Sequence, residues 1–355
     1  MIRKIGLRVV AYALIVVFWL SILFLFLHAP RLLTEWYGGE SINVITAPGF
    51  LDTTYLDEFQ KETGIRVNLS HFEQSEELLV KLGVTGKSDY DLIMSASYIV
   101  PALKSAGAIQ KIDKEKLLFW DRLYPAVLGH AFDPQNEYTI PYCWDVYGIA
   151  INSDAFEHDP EPSLKIIFER EHGGQRVAMF NSVRDVVAIG ALYLFSRPYV
   201  ENHEELERVY ALLMKQKKHV AVYTEMRSDY LFMSGTITAA MVAASDVART
   251  MDHYKSLRFL LPKEGWLVEI DSFAIPAATH KEKLVYRFLN YLYQREVMSL
   301  YVKKLGLFSA VNDVGSFHTR IPGLKPDPSL FLKFRQTTTV VRPEQLYQLW
   351  ITLKS

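Results

Sequence analysis

The segment SINVITAPGFLDTTYLDEFQKETGIRVNLSHF, residues 41–72, decides the fold. SINVITA is typical of a short buried strand, and IRVNLSHF alternates apolar with polar residues as a half-buried strand does. Between them, TTYLDEFQKETG predicts a helix that begins with Thr54 and Asp57 as a capping box and ends before Gly64. The segment therefore predicts a βαβ unit.

The next segments repeat this alternation of helix and strand. A helix over SEELLVKLG ends at Gly83, the apolar YDLIMSA predicts a strand, and a helix over IVPALKSAG again stops at a glycine. YTIPYCWDVYGIAIN, residues 138–152, reads as extended chain that leaves this unit. Strands separated by single helices indicate a mostly parallel sheet with helices on both faces.

A second α/β unit follows. RVAMF predicts a strand, and NSVRDVVAIGALYLF predicts a helix with Asn181 or Ser182 as its N-cap. The later strands are HVAVYTE, TITAAMVAA and RFLLPKEGWLVEIDSFAIP, the last of which is long enough to return to the first unit. Two helices, KEKLVYRFLNYL and REVMSLYVKKLG, come near the end. A chain of 355 residues, 50% of them hydrophobic, is long enough for two such lobes.

Composition and motifs exclude several functions. With 39 Lys and Arg against 40 Asp and Glu, the chain has no electrostatic footprint for nucleic acid. The single cysteine, Cys143, cannot form an intrachain disulfide or a multi-thiolate metal site. TGKSD lacks the glycine that a phosphate loop needs, because that position is Lys81, and no dinucleotide, nucleophile-elbow or zinc-protease motif occurs. We therefore predict no catalytic residues, no metal and no cofactor, which favours a binding protein over an enzyme.

The N-terminus predicts export. Basic residues in MIRKIGLR precede an apolar run from Val9 to Leu27, which as a helix spans roughly 28 Å, close to a bilayer core. The basic flank favours a cytoplasmic N-terminus. We predict an uncleaved anchor, with a cleaved signal as the alternative, and a linker at about residues 31–40. The rest of the chain then lies outside the cytoplasmic membrane.

Glu269 and Asp271 stand two residues apart in the predicted strand GWLVEIDSFAIP. Residues i and i+2 project from the same side of a strand, so two negative charges share one face. Such charges repel each other unless a cation lies nearby. Either a positive ligand provides that cation, or the two residues form a solvated face beside a Lys or Arg.

The order and spacing of five segments resemble the periplasmic spermidine/putrescine-binding proteins of ABC importers. The segments, between about Ile42 and about Asn312, are EFQKETGIRV, YDLIMSASYIV, GAIQKIDKEKL, FDPQNEYTIPYCW and PKEGWLVEIDSFAIP. The resemblance implies a two-lobed type II periplasmic binding fold, with crossing strands, a ligand in the cleft and closure on binding. It implies a monomer that delivers its solute to an ABC permease. The boundaries expected are 1–30 for the anchor, 31–40 for the linker, 41–146 for lobe 1, completed by about 270–315, and 147–269 for lobe 2, completed by about 316–355.

The resemblance also implies binding residues. Tyr98, Asp185 and Asp271 fall where the family has a cleft tyrosine and two carboxylates that meet amines, and Ser182 falls where it has another carboxylate. The positions that align with the family's aromatic box are Ala47, Phe50, Ala243, Glu269 and Leu307. Since only Phe50 is aromatic there, the sequence departs from the family in the walls that sandwich a polyamine.

These positions lead to a hypothesis: Glu269 and Asp271, with Asp185, form a pocket for a small cation, most simply a polyamine. Asp145, at the predicted crossing between lobes, is a further cleft residue. The alternatives are that Asp185 serves only the helix N-terminus and that Glu269 pairs with a Lys or Arg across an empty cleft. The same fold could instead bind an amino acid, a thiamine-like cation or a metal ion, or serve as a membrane-tethered sensor or structural protein.

Overall fold

The strands and helices below come from a computed structural model, which describes residues 14, 18, 19, 22, 39–73, 75–83, 89–169, 176–224, 228–326, 328–331 and 343–355. The strands are β1 Ser41–Thr46, β2 Arg66–His71, β3 Leu92–Ala96, β4 Ile140–Asn152, β5 Val177–Met179, β6 Val220–Tyr223, β7 Ala239–Ala243, β8 Leu257–Leu260, β9 Leu267–Ala274 and β10 Phe308–Ser309. The helices are α1 Thr53–Thr63, α2 Glu77–Gly83, α3 Val100–Ser105, α4 Lys165–Phe168, α5 Val183–Phe195, α6 His203–Gln216, α7 Ser228–Met233, α8 Ala244–Thr250, α9 Glu282–Leu292, α10 Arg295–Leu305, α11 Pro328–Phe331 and α12 Pro343–Lys354.

Within the described residues, these strands form one mixed sheet in the order β2-β1-β3-β9-β4-β7-β5-β6, with β8 and β10 also paired to β4. The outer pairs are parallel, as the βαβ pattern predicts. The centre is antiparallel, because β4 and β9 run through it and pair with each other and with β3 and β7. The prediction of a mostly parallel sheet is therefore right for the two ends and wrong for the middle.

Local signals explain the first βαβ unit, with one correction. α1 ends as predicted at Gly64, whose φ of 75° is left-handed and suits glycine. Its N-cap, however, is Asp52, whose side chain accepts a hydrogen bond of 2.9 Å from the amide of Thr54. The predicted capping box of Thr54 and Asp57 is wrong because an aspartate two residues earlier is an equally good acceptor for the free amides of the first turn.

The long segment that was predicted as one returning strand is two strands with a turn between them. β8 ends at Leu260 and β9 starts at Leu267. Pro262 removes one donor from the ladder, and Gly265 adopts a φ of 130°. The interruption lets β8 and β9 each pair with β4, at different positions along it.

Two hydrophobic clusters fill the molecule, one at each end of the sheet. The first surrounds β1, β3 and helices α1, α9 and α10, and the second surrounds β5, α5 and α6. Near the C-terminus, Ile321 and Phe331 belong to the first cluster, whereas Leu349 and Leu353 of α12 belong to the second. The assignment of domain boundaries stays a prediction.

The predicted membrane span, Val9 to Leu27, lies outside the described residues except at positions 14, 18, 19 and 22. Among the residues that the structure does describe, no helix combines the length and the apolar character needed to cross a bilayer.

Candidate functional site

The antiparallel pair β4 and β9 places three carboxylates side by side. Asp145 lies opposite Glu269, and Cys143 lies opposite Asp271. The intervening residues of β9 are buried, so Glu269 and Asp271 share the other, half-buried face, as their spacing predicts. We call Asp145, Glu269 and Asp271 the carboxylate cluster. Because it sits on the strands that pass from one hydrophobic cluster to the other, it lies where two lobes would meet.

Glu269 is fixed by the loop that follows β3. Its Oε1 accepts hydrogen bonds of 2.7 Å from both the amide and the hydroxyl of Ser97. Burial raises the pKa of Glu269, although the positive charge of Arg184 and the bonds from Ser97 lower it in part. Strong donors from the protein therefore already hold one oxygen of this carboxylate.

Asp145 and Asp271 are the other two half-buried carboxylates of the cluster. Asp145 Oδ1 accepts bonds from the amides of Val146, at 2.7 Å, and Ser245, at 3.2 Å, yet burial raises its pKa to about 6. Burial also raises the pKa of Asp271 well above its usual range, and the charges of Glu269 and Asp145 add to this. The thiol of Cys143 donates to Asp271 over a long Sγ–Oδ2 distance of 3.9 Å. Since no basic residue in the described part of the chain lowers the pKa of Asp271, its carboxylate lacks a positive partner there.

Three more of the predicted residues gather at the start of α5. Ser182 is the N-cap, and its hydroxyl accepts a 3.3 Å bond from the amide of Asp185. The carboxylate of Asp185 lies 3.1 Å from the guanidinium of Arg184. That guanidinium stacks 3.2 Å above the centre of the Tyr98 ring. The structure therefore brings Asp185 and Tyr98 together through Arg184, a residue that the sequence analysis did not single out.

At the positions that align with the family's aromatic box, the structure provides aromatic side chains only in part. The Phe50 ring packs against the first hydrophobic cluster, and its carbonyl accepts a 3.0 Å bond from Tyr142. Leu307 is buried, and Ala243 pairs with Tyr147 of β4. Tyr147 shares its strand face with Asp145, and after burial itself the carboxylates of Glu269, Asp145 and Asp271 are the groups that raise its pKa. The i+2 spacing of Cys143, Asp145 and Tyr147 was the available signal for this aromatic neighbour.

Chemically, this arrangement suits a positive ligand. Three carboxylates with an aromatic ring beside them offer charge-assisted hydrogen bonds and a cation–π surface. Among the described residues, no group of three or more His, Cys, Asp or Glu side chains has the geometry to hold a metal ion.

A mixed sheet with parallel ends, antiparallel crossing strands and charged groups on those strands defines a protein that binds a small solute between two α/β lobes. The chain belongs to the family of bacterial extracellular solute-binding proteins, whose family model matches residues 54–320. This agrees with the prediction of a binding protein and not an enzyme.

Similar proteins of known sequence and structure give the same family. The chain is 30% identical over 251 residues to the spermidine/putrescine-binding periplasmic protein of Salmonella typhimurium, covering 71% of this chain and 72% of that one. It is 28% identical over 285 residues to a putrescine/agmatine-binding protein of Pseudomonas aeruginosa, covering 75% and 77%. The solved structure of a spermidine/putrescine ABC transporter substrate-binding protein from Streptococcus pneumoniae matches with a TM-score of 0.72 and 18% identity, over 89% of this chain and 98% of that one. That structural likeness confirms the expected α/β periplasmic binding fold.

Proposed function

We propose that this chain is the extracytoplasmic solute-binding component of an ABC importer and that its ligand is a small polyamine. The observation that carries the proposal is the carboxylate cluster on the crossing strands β4 and β9. The names of the relatives in Salmonella and Pseudomonas support the same ligand class.

The charges of the cluster favour an ammonium group as the ligand. Burial raises the pKa of Asp145, and burial together with the charges of Glu269 and Asp145 raises the pKa of Asp271. An ammonium ion placed between Asp145 and Asp271 offsets their negative charges and donates up to three hydrogen bonds. Each charge-assisted bond contributes roughly 1.5–3 kcal/mol. Tyr147, on the same strand face, then lies beside the methylene chain of the ligand.

Location and partners follow from this role. The protein acts on the periplasmic side of the membrane, held by residues 9–27 or released if that segment is cleaved. It works as a monomer of two lobes with the predicted boundaries, closes by hinge motion around its solute and docks on the permease of the importer. No catalytic step, metal or nucleic acid takes part.

The proposal is tested by titrating the full-length protein with putrescine, cadaverine and spermidine in a calorimeter and by following its thermal unfolding. Free ligand at a hundred times its dissociation constant stabilises the folded protein by about 2.7 kcal/mol. We expect at least one amine to raise the temperature of thermal unfolding of the parent protein. We expect the same amine to leave that temperature unchanged in Asp271→Asn. Asp57→Asn, a change at an exposed position of α1, is the matched control.

The alternatives predict other results. A shift with an amino acid or a thiamine-like cation, and none with a polyamine, would reassign the ligand within the same fold. A shift that a chelator abolishes would indicate a metal ion. If Asp271→Asn binds amines as tightly as the parent protein, the carboxylate cluster is not the binding site.

A further inference from the structure

Arg184, the second residue of α5, carries a positive charge into the candidate site. Its guanidinium carbon lies 3.2 Å from the centre of the Tyr98 ring, and its Nη2 lies 3.1 Å from Asp185 Oδ1. The side chain is only 23% exposed. Such stacking on an aromatic face, with a carboxylate alongside, is the arrangement that proteins use to bind cationic ligands.

The aromatic ring that holds Arg184 is itself fixed by acidic residues. The hydroxyl of Tyr98 donates a 3.1 Å bond to Glu76 Oε2. Ser97, the preceding residue, donates both bonds to Glu269. The ring and the carboxylate cluster are thus joined by two adjacent residues of one short turn, which places the guanidinium next to the cluster.

The electrostatics agree with this placement. Burial alone lowers the pKa of Arg184, but Asp185, Tyr98, Glu269 and Glu76 together raise it above its ordinary value. Arg184 in turn lowers the pKa of Glu269, but it does not lower the pKa of Asp271. Within the described residues, the protein therefore supplies a cation to Glu269 through Arg184 and a weaker one to Asp145 through Arg249, but none to Asp271.

We propose that Arg184 is a specificity-determining residue: a tethered cation that fills one of two cation positions in the cleft and leaves the position at Asp271 for a ligand. This inference rests on the proposed function and deepens it. A ligand with one ammonium group, or a short diamine, fits the remaining position. Spermidine brings further ammonium groups, which meet the positive charge of Arg184, and like charges in a desolvated site disfavour binding strongly.

The test compares four probes on the full-length protein by calorimetry. The probes are butylamine, putrescine, spermidine and agmatine, and the variants are Arg184→Ala, Arg184→Gln and Arg184→Lys. In Arg184→Ala we expect spermidine and agmatine to bind about tenfold tighter or more relative to butylamine, because a like-charge contact is removed and a cation position opens. Agmatine should gain most, since its guanidinium replaces that of Arg184 while its ammonium lies at Asp271. Arg184→Lys keeps the charge and should keep the parental preference.

Two controls separate this role from a structural one. Arg208→Ala removes another arginine that stacks on an aromatic ring, 4.8 Å above Phe195. This variant should leave the affinity of each probe relative to butylamine unchanged. Arg184→Gln keeps amide donors for Asp185 and serves as the uncharged variant if Arg184→Ala does not fold. An arginine that only stabilises the fold would change all four affinities by one common factor, and that result would overturn the inference.

Failure of the inference and failure of the proposed function give different results. If the parent protein binds polyamines but the ratio of spermidine to butylamine affinity is the same in Arg184→Ala and Arg184→Gln, the proposed function stands and the inference falls. If the parent binds no amine but the neutral variants bind agmatine, the inference stands and the native ligand is not a polyamine. If no variant binds any of the probes, both are wrong.

Discussion

Asp145 receives both of its amide hydrogen bonds on a single oxygen, Oδ1. An asparagine in its place keeps a carbonyl oxygen at that position, so the bonds from Val146 and Ser245 survive. What it removes is a negative charge that burial disfavours, as the raised pKa of about 6 records. Substitution of Asp145 by asparagine therefore distinguishes the effect of its charge from the effect of its hydrogen bonds.

We predict that Asp145→Asn stabilises the unliganded protein at neutral pH. Between an ordinary pKa of 3.8 and the folded value of about 6, the folded state of the parent binds more protons than the unfolded state, so its stability falls as pH rises. Asp145→Asn has no such charge to bury, so its stability does not fall in this way. Its free energy of unfolding should exceed that of the parent by about 1–3 kcal/mol at about pH 7.5, and by less than half of that at about pH 4.5. Urea unfolding at both pH values measures the gain.

The exposed Asp57→Asn variant should show no comparable pH-dependent gain. A gain for Asp145→Asn that is equal at both pH values would mean that the burial of charge is not its cause. The same variant should bind cations more weakly, because the ligand then loses one of its carboxylates.

At this scale, the sequence predicts some of the site and misses the rest. Alternation along a strand was enough to place Glu269 and Asp271 on one face. The pairing of Glu269 with Asp145, across more than a hundred residues of chain, depends on the register of β4 against β9. Register is set by the packing of the whole sheet, and no local pattern contains it. For the same reason Arg184, whose partner Tyr98 belongs to a distant turn, could not be found from spacing.

Gly148 shows how closely the elements around β4 pack. A Cβ atom added there would lie 2.6 Å from Cζ of Phe259 and 2.7 Å from the backbone oxygen of Leu260. Leu260 is held in register against Ile149 in the β4–β8 ladder, so its carbonyl cannot move without breaking strand pairing.

We predict that Gly148→Ala lowers the free energy of unfolding by about 1–3 kcal/mol, the usual effect of overpacking a core. The matched control is Gly315→Ala, since a Cβ at Gly315 meets nothing within 4 Å and the residue has no left-handed backbone. Urea midpoints of both variants measure the difference. Equal midpoints would show that β8 can move away from β4 without loss.

Elements with strong local signals were predicted well, and elements defined by tertiary pairing were not. Helices such as α9 and α10 follow from their apolar spacing, and α1 from its terminal glycine. The antiparallel centre of the sheet was missed because β4 and β9 look, as sequences, like any other buried strands. Their direction relative to their neighbours is decided by where the chain returns, which is a property of topology.

At the scale of the whole molecule, the stack of Arg184 on Tyr98 links the two hydrophobic clusters. The α5 helix that carries Arg184 packs in the second cluster, and Tyr98 packs against the first. The hinge closure that we propose would thus start from a molecule that one of its own side chains already joins.

We predict that Arg184→Ala opens the unliganded molecule. X-ray scattering should give a radius of gyration above that of the parent, whose compact fold of this length has a value of roughly 20 Å. Saturating putrescine should return the variant toward the parental value. Tyr98→Phe keeps the aromatic face and should stay closed. Identical scattering from Arg184→Ala and the parent, both without ligand, would mean that the stack does not hold the lobes together.

The position of β9 between β3 and β4 has a consequence for how this protein is made. Of the strands in the described part of the chain, β9 is the last long one to leave the ribosome, yet it occupies the middle of the finished sheet. Until residue 274 has been synthesised, one edge of β3 has no partner, although all five residues of that strand are buried in the final fold. The core around β3 therefore cannot be completed before residue 274 has been synthesised. A polypeptide threaded across a membrane before synthesis ends would arrive unfolded on the far side, and a core that waits for residue 274 is compatible with such a route.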